Sequence, residues 1–329
     1  MSTDVRPLGR VLVTGAAGFV GGWLLPALWK AGASAVTALA TETEPGNVSS
    51  TSDGAPDTRW MLGDLRDDAY VAHVTREAAA DTVVHLAAVS HVPTAAADPA
   101  AAWDINVTAT ARLLHVVRQQ RDAQGRDPVV LLVGSAEQYG RHPSHGERLH
   151  EDDVQAPRTV YAATKAAQEV LALQQWRAEA LKVVVARSFN HSGAGQAPRF
   201  LLPALVQRAV QLRDAAPGTP MAVGNRTPIR DFLHVSDVVA AYISLCQRGT
   251  PGEAYNVASG TGWSVQQVLD RVLARAGSHA TPVEDPALVR PVDVPVLVGN
   301  PNKLQRATDW RPLRTLDDII DDLIHAEAH

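Results

Sequence analysis

Residues 11–25, VLVTGAAGFVGGWLL, place an apolar strand, a glycine-spaced turn and the start of a helix in immediate succession. Gly15, Gly18 and Gly21 give the spacing GxxGxxG. In such a turn the first glycine permits the tight bend. The second lets backbone approach a pyrophosphate at the helix N-terminus, and the third lets helix and strand pack closely. Structural turns also use glycine. Here the triplet follows a clean apolar strand and opens a helix, the context a dinucleotide site requires.

The segments around this turn repeat its pattern. Val- and Leu-rich runs at 11–14, 35–39, 59–62, 82–86, 129–133 and 183–187 read as buried parallel strands. Ala-rich helical stretches lie between them, notably at 18–31, 100–120 and 161–179. This βαβα order predicts an α/β fold, a doubly wound parallel sheet of Rossmann type. Residues 44–58 are rich in Ser, Gly, Asp and Pro and read as a surface loop. Past residue 188 strands become isolated and Gly and Pro more frequent, which predicts a smaller α+β substrate-binding domain. Residues 1–188 are assigned to the dinucleotide-binding domain, with 230–258 returning to it. Residues 189–229 and 259–329 are assigned to the smaller domain.

Composition narrows the function classes. A formal net charge of -5 offers no electrostatic case for nucleic acid or an anionic membrane. Cys246 is the sole cysteine, so neither a disulfide framework nor a cysteine-rich metal site is expected. The polar N-terminus lacks the apolar core of a signal peptide, and no apolar run is long enough to span a bilayer. The expectation is a soluble cytoplasmic protein. His85, His91, His191 and His234 are scattered without acidic or cysteine partners at ligand spacing, so no metal site is expected. Trp263 and Trp310 read as packing residues of the smaller domain. Asp317, Asp318, Asp321 and Asp322 read as the solvated face of a terminal helix.

Several residues could carry chemistry. Tyr161 and Lys165 in YAATK stand four apart on a predicted helix, on one face and about 6 Å apart along the axis. An ammonium beside a phenol would stabilise the phenolate and bring its proton closer to transfer at neutral pH. An ordinary helix face is the alternative. Ser135 ends the strand 129–133, where ligands bind in open α/β sheets. It could hydrogen-bond a reacting oxygen, or serve as a turn or cap residue. Asn106, polar within an apolar helical stretch, could orient water or Lys165, or satisfy a neighbouring backbone group. Asp64 follows the third strand, where it could meet an adenine or cap a helix. A ribose-binding carboxylate is expected near residues 40–41 for NAD. Ala40 and Thr41 stand there, Glu42 falls late, and no arginine is nearby for a 2′-phosphate. With no carboxylate to repel that phosphate, NADP(H) is favoured over NAD(H).

Together these residues resemble the extended short-chain dehydrogenases/reductases, the nucleotide-sugar epimerases, dehydratases and reductases. The match runs through VTGAAGFVG (13–21), GDL (63–65), HLAA (85–88), INV (105–107), GSAEQYG (134–140), YAATK (161–165), RSFNHSGAGQ (187–196), RDFLHVSDV (230–238) and YNVASG (255–260). The resemblance implies Ser135, Tyr161 and Lys165 as catalytic residues and Asn106 as their helper beside the cofactor. It implies Gly15, Gly18, Phe19, Val20, Gly21, Asp64, Leu65, Leu86, Ala87 and Ala88 along the dinucleotide. Ser135 and Glu137 would face the sugar, and Asn190, Arg230 and Arg290 the diphosphate of a nucleotide-sugar substrate. Arginine suits that role, having a planar, bidentate donor set. In resembling proteins the helices at 100–120 and 161–179 pair into a homodimer.

The resemblance is nearest to the branch holding GDP-mannose 4,6-dehydratases and GDP-6-deoxy-4-keto-mannose reductases. Dehydratases need an acid and a base beyond the triad, and their pattern at this strand end is Thr-Ser-Glu or Thr-Asp-Glu. Here it is Ser135, Ala136, Glu137. Ala136 cannot donate a proton, so the expectation is an NDP-4-keto-6-deoxyhexose 4-ketoreductase. The rivals are a 4,6-dehydratase, a C4-epimerase, and a dinucleotide-binding sensor without catalysis.

Overall fold

The structure, a computed structural model, describes residues 5–41, 58–140, 148–289 and 294–327. Side chains of a strand alternate between its two faces. In the first strand Val11 and Val13 join one buried core and Leu12 another. Leu131, flanked by Val130 and Leu132, divides in the same way. The strands therefore form a middle layer with apolar packing on both faces.

In chain order the first half comprises β1 (Arg10–Thr14), α1 (Phe19–Lys30), β2 (Ala35–Ala40), β3 (Arg59–Leu62), α2 (Asp68–Ala78) and β4 (Thr82–His85). There follow α3 (Val92–Ala97), α4 (Pro99–Trp103), α5 (Ala109–Gln124), β5 (Val129–Ser135), α6 (Val160–Glu179) and β6 (Val183–Ser188). The continuous helix expected over 100–120 is instead α4, a π turn at Asp104–Thr108, and α5. From the first turn of α5 the Thr110 hydroxyl donates back to the Asn106 carbonyl in that turn at 2.7 Å, an alternative partner to the regular backbone ladder.

The second half comprises β7 (Asn190–Ser192), α7 (Leu201–Gln211), β8 (Pro220–Val223), β9 (Ile229–His234), α8 (Val235–Arg248) and β10 (Ala254–Val257). The chain then forms β11 (Gly262–Ser264), α9 (Val265–Ala276), β12 (Thr281–Glu284), β13 (Val296–Leu297), α10 (Asn302–Thr308) and α11 (Leu316–Glu327).

The main sheet has seven strands in the order β10-β6-β5-β4-β1-β2-β3. Every pairing in it is parallel. Helices α1 and α8 cover one face, through Leu24, Leu28, Val238 and Leu245. Helices α2, α5 and α6 cover the other, through Val71, Leu113 and Ala172. A third core joins α7, α9 and α11 around Leu205, Leu269 and Ile320.

The segment 230–258 returns to the main sheet only in part. β10 pairs with its edge strand β6, whereas β9 pairs with β7, β11 and β13 in a separate small sheet. Asp231 holds β9 there. Its buried carboxylate accepts hydrogen bonds from the Ser259 backbone and hydroxyl and from the Gly260 and Gly299 backbone. Trp310 also departs from expectation, packing in the main-sheet core with its indole N–H donated to the Asp237 carbonyl at 2.9 Å. Trp263 does pack against the third core. The acidic face of α11 is only partly solvated. Asp317 pairs with Arg271 of α9 at 3.0 Å, and Asp322 accepts the Ala194 N–H at 2.7 Å.

Gly21 and Gly22 are neighbours in α1 with opposite surroundings. A Cβ on Gly21 would overlap the Ala16 backbone, whereas one on Gly22 would meet nothing within 4 Å. Gly21→Ala should therefore cost about 1–3 kcal/mol of folding stability, as overpacking does. Gly22→Ala should gain about 0.5–1 kcal/mol by removing glycine from a helix interior. Denaturant titration of both variants checks this; equal shifts would contradict the packing described.

Candidate active site

Because the main sheet is parallel, the carboxyl ends of its strands face the same way. The chain crosses from β3 back over β1 to β4, so strand order reverses beside β1. A crevice is expected outside such a switch point. A cavity of about 1020 Å³ lies there, lined by residues that follow each of β1 to β6.

Its first end is built by the turn between β1 and α1. Gly15 has φ of +67°, and a Cβ there would stand 2.7 Å from the Ala87 backbone nitrogen. Gly18 caps α1 without any side-chain hydrogen bond, so backbone alone is presented at that helix N-terminus. A side chain would fill this cradle, and its donors are backbone N–H groups beside a positive helix end. Both properties fit a dinucleotide pyrophosphate. Phe19, Val20, Gly21, Asp64, Leu65, Leu86, Ala87 and Ala88 line the same end. Asp64 is not a helix cap, because Asp67 caps α2. Its carboxylate instead takes Arg66 in a two-pronged ion pair, with contacts of 3.0 and 2.6 Å to Oδ2, which holds it below the usual carboxylate range. Arg66 lines the cavity beside Ala40 and Thr41. An arginine therefore does stand near the end of β2. It comes from the loop after β3, which parallel pairing of Ala40 with Leu62 brings alongside.

The second end is built by β5, α6 and β6. Ser135 ends β5 and caps a 3-10 turn over Ala136–Tyr139. Its Oγ accepts the Glu137 N–H at 3.2 Å. Ser135 also hydrogen-bonds the Tyr161 phenol. Tyr161 is pushed up to about 12, by burial first and then by the Glu137 carboxylate, with Ser135 opposing the rise. Lys165 is pushed down to about 7 by burial, and its Nζ donates to the Val133 carbonyl at 2.9 Å. The expected lowering of the phenol by Lys165 is thus not what this arrangement gives. Burial raises the phenol, and the lysine is committed to a carbonyl. A neutral phenol beside a hydroxyl can donate a proton to an oxygen held between them.

Glu137 and Asn190 also line the cavity. Asn106 does not; it is fully buried behind the wall. Its carboxamide takes the Val89 N–H at 2.7 Å and donates to the Thr164 hydroxyl at 2.8 Å, tying the loop after β4 to α6. Among the described residues β9 contributes Phe232 to the lining but not Arg230. Arg230 is 6% exposed and donates to the Ile229 carbonyl at 2.9 Å. It lies two residues back along β9, about 7 Å from Phe232, between its partners Trp263 and Leu297. Arg290 lies outside the described residues.

His85 is buried between Thr14 at 2.7 Å and Thr110 at 2.9 Å, and burial pushes it down to about 3, so it is neutral. No group of three or more metal-ligating side chains occurs among the described residues. Tyr242, Arg199 and Phe200 line the cavity without any signal in the sequence, and His191, read there only as a scattered histidine, lines it too. Tyr242 reaches it from α8 and is hydrogen-bonded to Ser188 at 2.6 Å.

A glycine cradle at the β1–α1 turn, with a Ser–Tyr–Lys set at the ends of β5 and α6, defines an enzyme of the short-chain dehydrogenase/reductase type. A family model described as GDP-mannose 4,6 dehydratase matches residues 12–323. The chain belongs to this family, whose relatives are NAD(P)-dependent nucleotide-sugar dehydratases and reductases. It is 33% identical over 236 residues to the GDP-6-deoxy-D-mannose reductase of Pseudomonas aeruginosa, spanning 72% of this chain and 76% of that one. It is 34% identical over 282 residues to the dTDP-glucose 4,6-dehydratase of Streptomyces griseus, spanning 84% and 81%. The structure of RMD from Pseudomonas aeruginosa complexed with NADPH superposes with a TM-score of 0.79 at 28% identity, over 97% of this chain and 98% of that one. MoeE5 in complex with UDP-glucuronic acid and NAD gives 0.82 at 27% identity, over 97% and 99%.

Lysine 165 gives this site a pH signature. An unfolded lysine holds its proton up to its ordinary 10.5, whereas the buried one loses it near 7. Between those values the unfolded state binds more protons, so stability rises with pH. That contribution is complete above 10.5 and lost as pH falls through 7. The stability of the wild type relative to Lys165→Met should therefore increase from pH 6.5 to pH 9. Denaturant titrations of both proteins at both pH values test this; an unchanging difference would mean that Lys165 is not desolvated.

Proposed function

We propose that this chain reduces the C4 ketone of a nucleotide-linked 4-keto-6-deoxyhexose, with NADPH as the preferred reductant. The observation that carries the reading is Ala136, a methyl group 1% exposed on the cavity wall between Ser135 and Glu137. Dehydration needs a further proton donor at that wall; hydride transfer to a ketone does not. The state of Tyr161 agrees. A phenol held near 12 is protonated at neutral pH, the form needed to protonate an alkoxide. An oxidation of C4 would need the phenolate first.

The residues divide the work. Gly15, Gly18, Phe19, Val20 and Gly21 would hold the pyrophosphate end of the cofactor, and Asp64, Leu65, Leu86, Ala87 and Ala88 its flanks. Bound there, a reduced nicotinamide dinucleotide supplies the hydride that the ketone accepts. Ser135 and Tyr161 hold the C4 oxygen, and Tyr161 gives it a proton. Lys165, fixed by Val133, supports the Tyr161 side of the site. Asn190 and the small-sheet region hold the sugar nucleotide. Arg199, on the lining, offers that region a positive charge. Asn106 acts from behind as a brace.

Arg66 supports the preference for NADPH. It stands on the lining beside Ala40 and Thr41, and would turn from the Asp64 carboxylate, its partner on the same lining, to meet a 2′-phosphate. No helix among the described residues is long and apolar enough to cross a membrane. We read the protein as a cytoplasmic homodimer, paired through α5 and α6. Val170 of α6 and Trp103 of α4 are exposed apolar residues near that surface, at 65% and 42%.

A second reading has one observation in its favour. The Glu137 carboxylate lines the cavity, and a 4,6-dehydratase would use a base there. The fate of the nicotinamide separates the two. Adding an NDP-4-keto-6-deoxyhexose should oxidise one NADPH per ketone reduced, followed by absorbance and product analysis. Tyr161→Phe should lower kcat at least ~10²-fold. Conversion of the parent NDP-hexose to its 4-keto-6-deoxy form without consumption of NADPH would overturn the reductase reading. For the cofactor, Arg66→Ala should raise KM for NADPH and leave KM for NADH unchanged. Equal effects on both would remove Arg66 from the reading of the 2′-phosphate.

A further inference from the structure

Beneath the catalytic residues lies a buried polar network that the proposed chemistry does not use. Glu169 lies one helical step of four residues beyond Lys165 and two beyond Tyr161, on the same stripe of α6. It is 2% exposed, and its partner Arg187 of β6 is 5% exposed. The guanidinium grips the carboxylate through Nε at 2.9 Å and Nη2 at 2.5 Å. Each carboxylate oxygen accepts a second hydrogen bond, Oε2 from Gln138 at 2.9 Å and Oε1 from Gln155 at 2.8 Å.

Gln138 carries the connection to the reacting groups. It is fully buried in the 3-10 turn after β5, and its Oε1 accepts the backbone N–H of Ser135 at 2.7 Å. Gly134 leaves room for this fold-back, since a Cβ there would stand 2.6 Å from that same Oε1. The far side of the network is anchored too. Arg187 donates to the Tyr139 hydroxyl at 2.8 Å, which donates to Asn256 of β10 at 2.7 Å.

We propose that Gln138 and Glu169 are positioning residues, which fix the distance between Ser135 and Tyr161 by bracing the end of β5 against α6. Ser135 and Tyr161 sit on different elements, and the hydrogen bond between them depends on how those elements meet. The brace joins them by a short route, from the Ser135 backbone through Gln138 to Glu169 on the helix of Tyr161. Fold stability alone does not account for it. A buried ion pair roughly breaks even against well-packed apolar side chains of similar volume. What the charged version adds is direction, because four donors converge on one carboxylate. This inference rests on the proposed roles of Ser135 and Tyr161, not on the identity of the sugar.

The test uses two variants of the full-length enzyme, Gln138→Met and the double variant Glu169→Leu/Arg187→Met. The first removes the bond to Ser135 and keeps the charge pair. The second replaces the charge pair with apolar groups. In both, kcat should fall at least about tenfold, while KM for the sugar nucleotide and Kd for the dinucleotide stay within about twofold. The Gln138→Met loss should also be non-additive with Ser135→Ala, since both act on one contact. The thermal midpoint of each variant separates misfolding from misalignment. Wild-type kcat in a folded Gln138→Met enzyme would overturn the proposal. So would a fall in kcat matched by equal losses in both binding constants. Wild-type turnover is the reference. If the wild type does not reduce the 4-keto sugar, that reading fails by itself, and the comparison is made on the nucleotide sugar it does convert.

Discussion

Parallel pairing throughout the main sheet is the constraint on which the site depends. Because its seven strands run the same way, the loops that follow β1 to β6 emerge at one edge. Residues far apart in sequence, such as Gly15, Arg66, Ala87, Ser135 and Asn190, thereby meet around one cavity. The same constraint demands apolar cover on both faces, which α1 and α8 supply on one side and α2, α5 and α6 on the other. Helix α6 has two duties. Its Ala172 belongs to the core, while Tyr161 and Lys165 at its start face the cavity. The packing that stabilises the sheet therefore also aims the reactive groups.

Burial dominates the electrostatics of this cavity. It raises Tyr161 and lowers Lys165, favouring the uncharged form of each. His85 follows the same rule and stays neutral between two threonines. Deep in the protein, the charges of Glu169 and Arg187 are held as a pair. Burial thus leaves the Tyr161 phenol and the Lys165 amine uncharged beside the Glu137 carboxylate on the same lining.

The parts of this architecture that were legible in the sequence are those set by local pattern. Strands such as 11–14 and 129–133 declared themselves through short apolar runs, and the cofactor turn through glycine spacing after a strand. Residues 134–140 and 161–165 were legible as a pattern of motifs, and the structure places Ser135 and Tyr161 in hydrogen-bond contact. What escaped depends on tertiary register. Arg66 gives no signal in the stretch after β2, because a parallel neighbour delivers its own loop to the same place. Arg230 carried a persuasive motif, yet the small sheet draws β9 aside and keeps that side chain off the lining. Tyr242 lacked any local signal, since its position follows from how α8 folds back over β5 and β6. The sign of the Tyr161 shift escaped as well. Spacing puts an amine beside a phenol, but only the fold reveals that Val133 occupies the amine and that both groups are desolvated.

These features bear jointly on the direction of the reaction. A dehydratase or an epimerase must first take a proton from a C4 alcohol, so its tyrosine has to lose its own proton readily. Around Tyr161, burial and the Glu137 carboxylate oppose that state and the Ser135 hydroxyl favours it. A reductase starts from the opposite protonation state and needs no change in it before hydride arrives. Glu137 then has a use that does not involve dehydration. Its negative charge disfavours the phenolate and so keeps the phenol protonated until hydride arrives; this makes the phenol a weaker acid, but an alkoxide is more basic still and can take its proton. The carboxylate that a dehydratase would employ as a base can thus serve a reductase by keeping its acid protonated. With Ala136 beside it in place of a donor, the strand end supports the proposed addition of hydrogen over the removal of water.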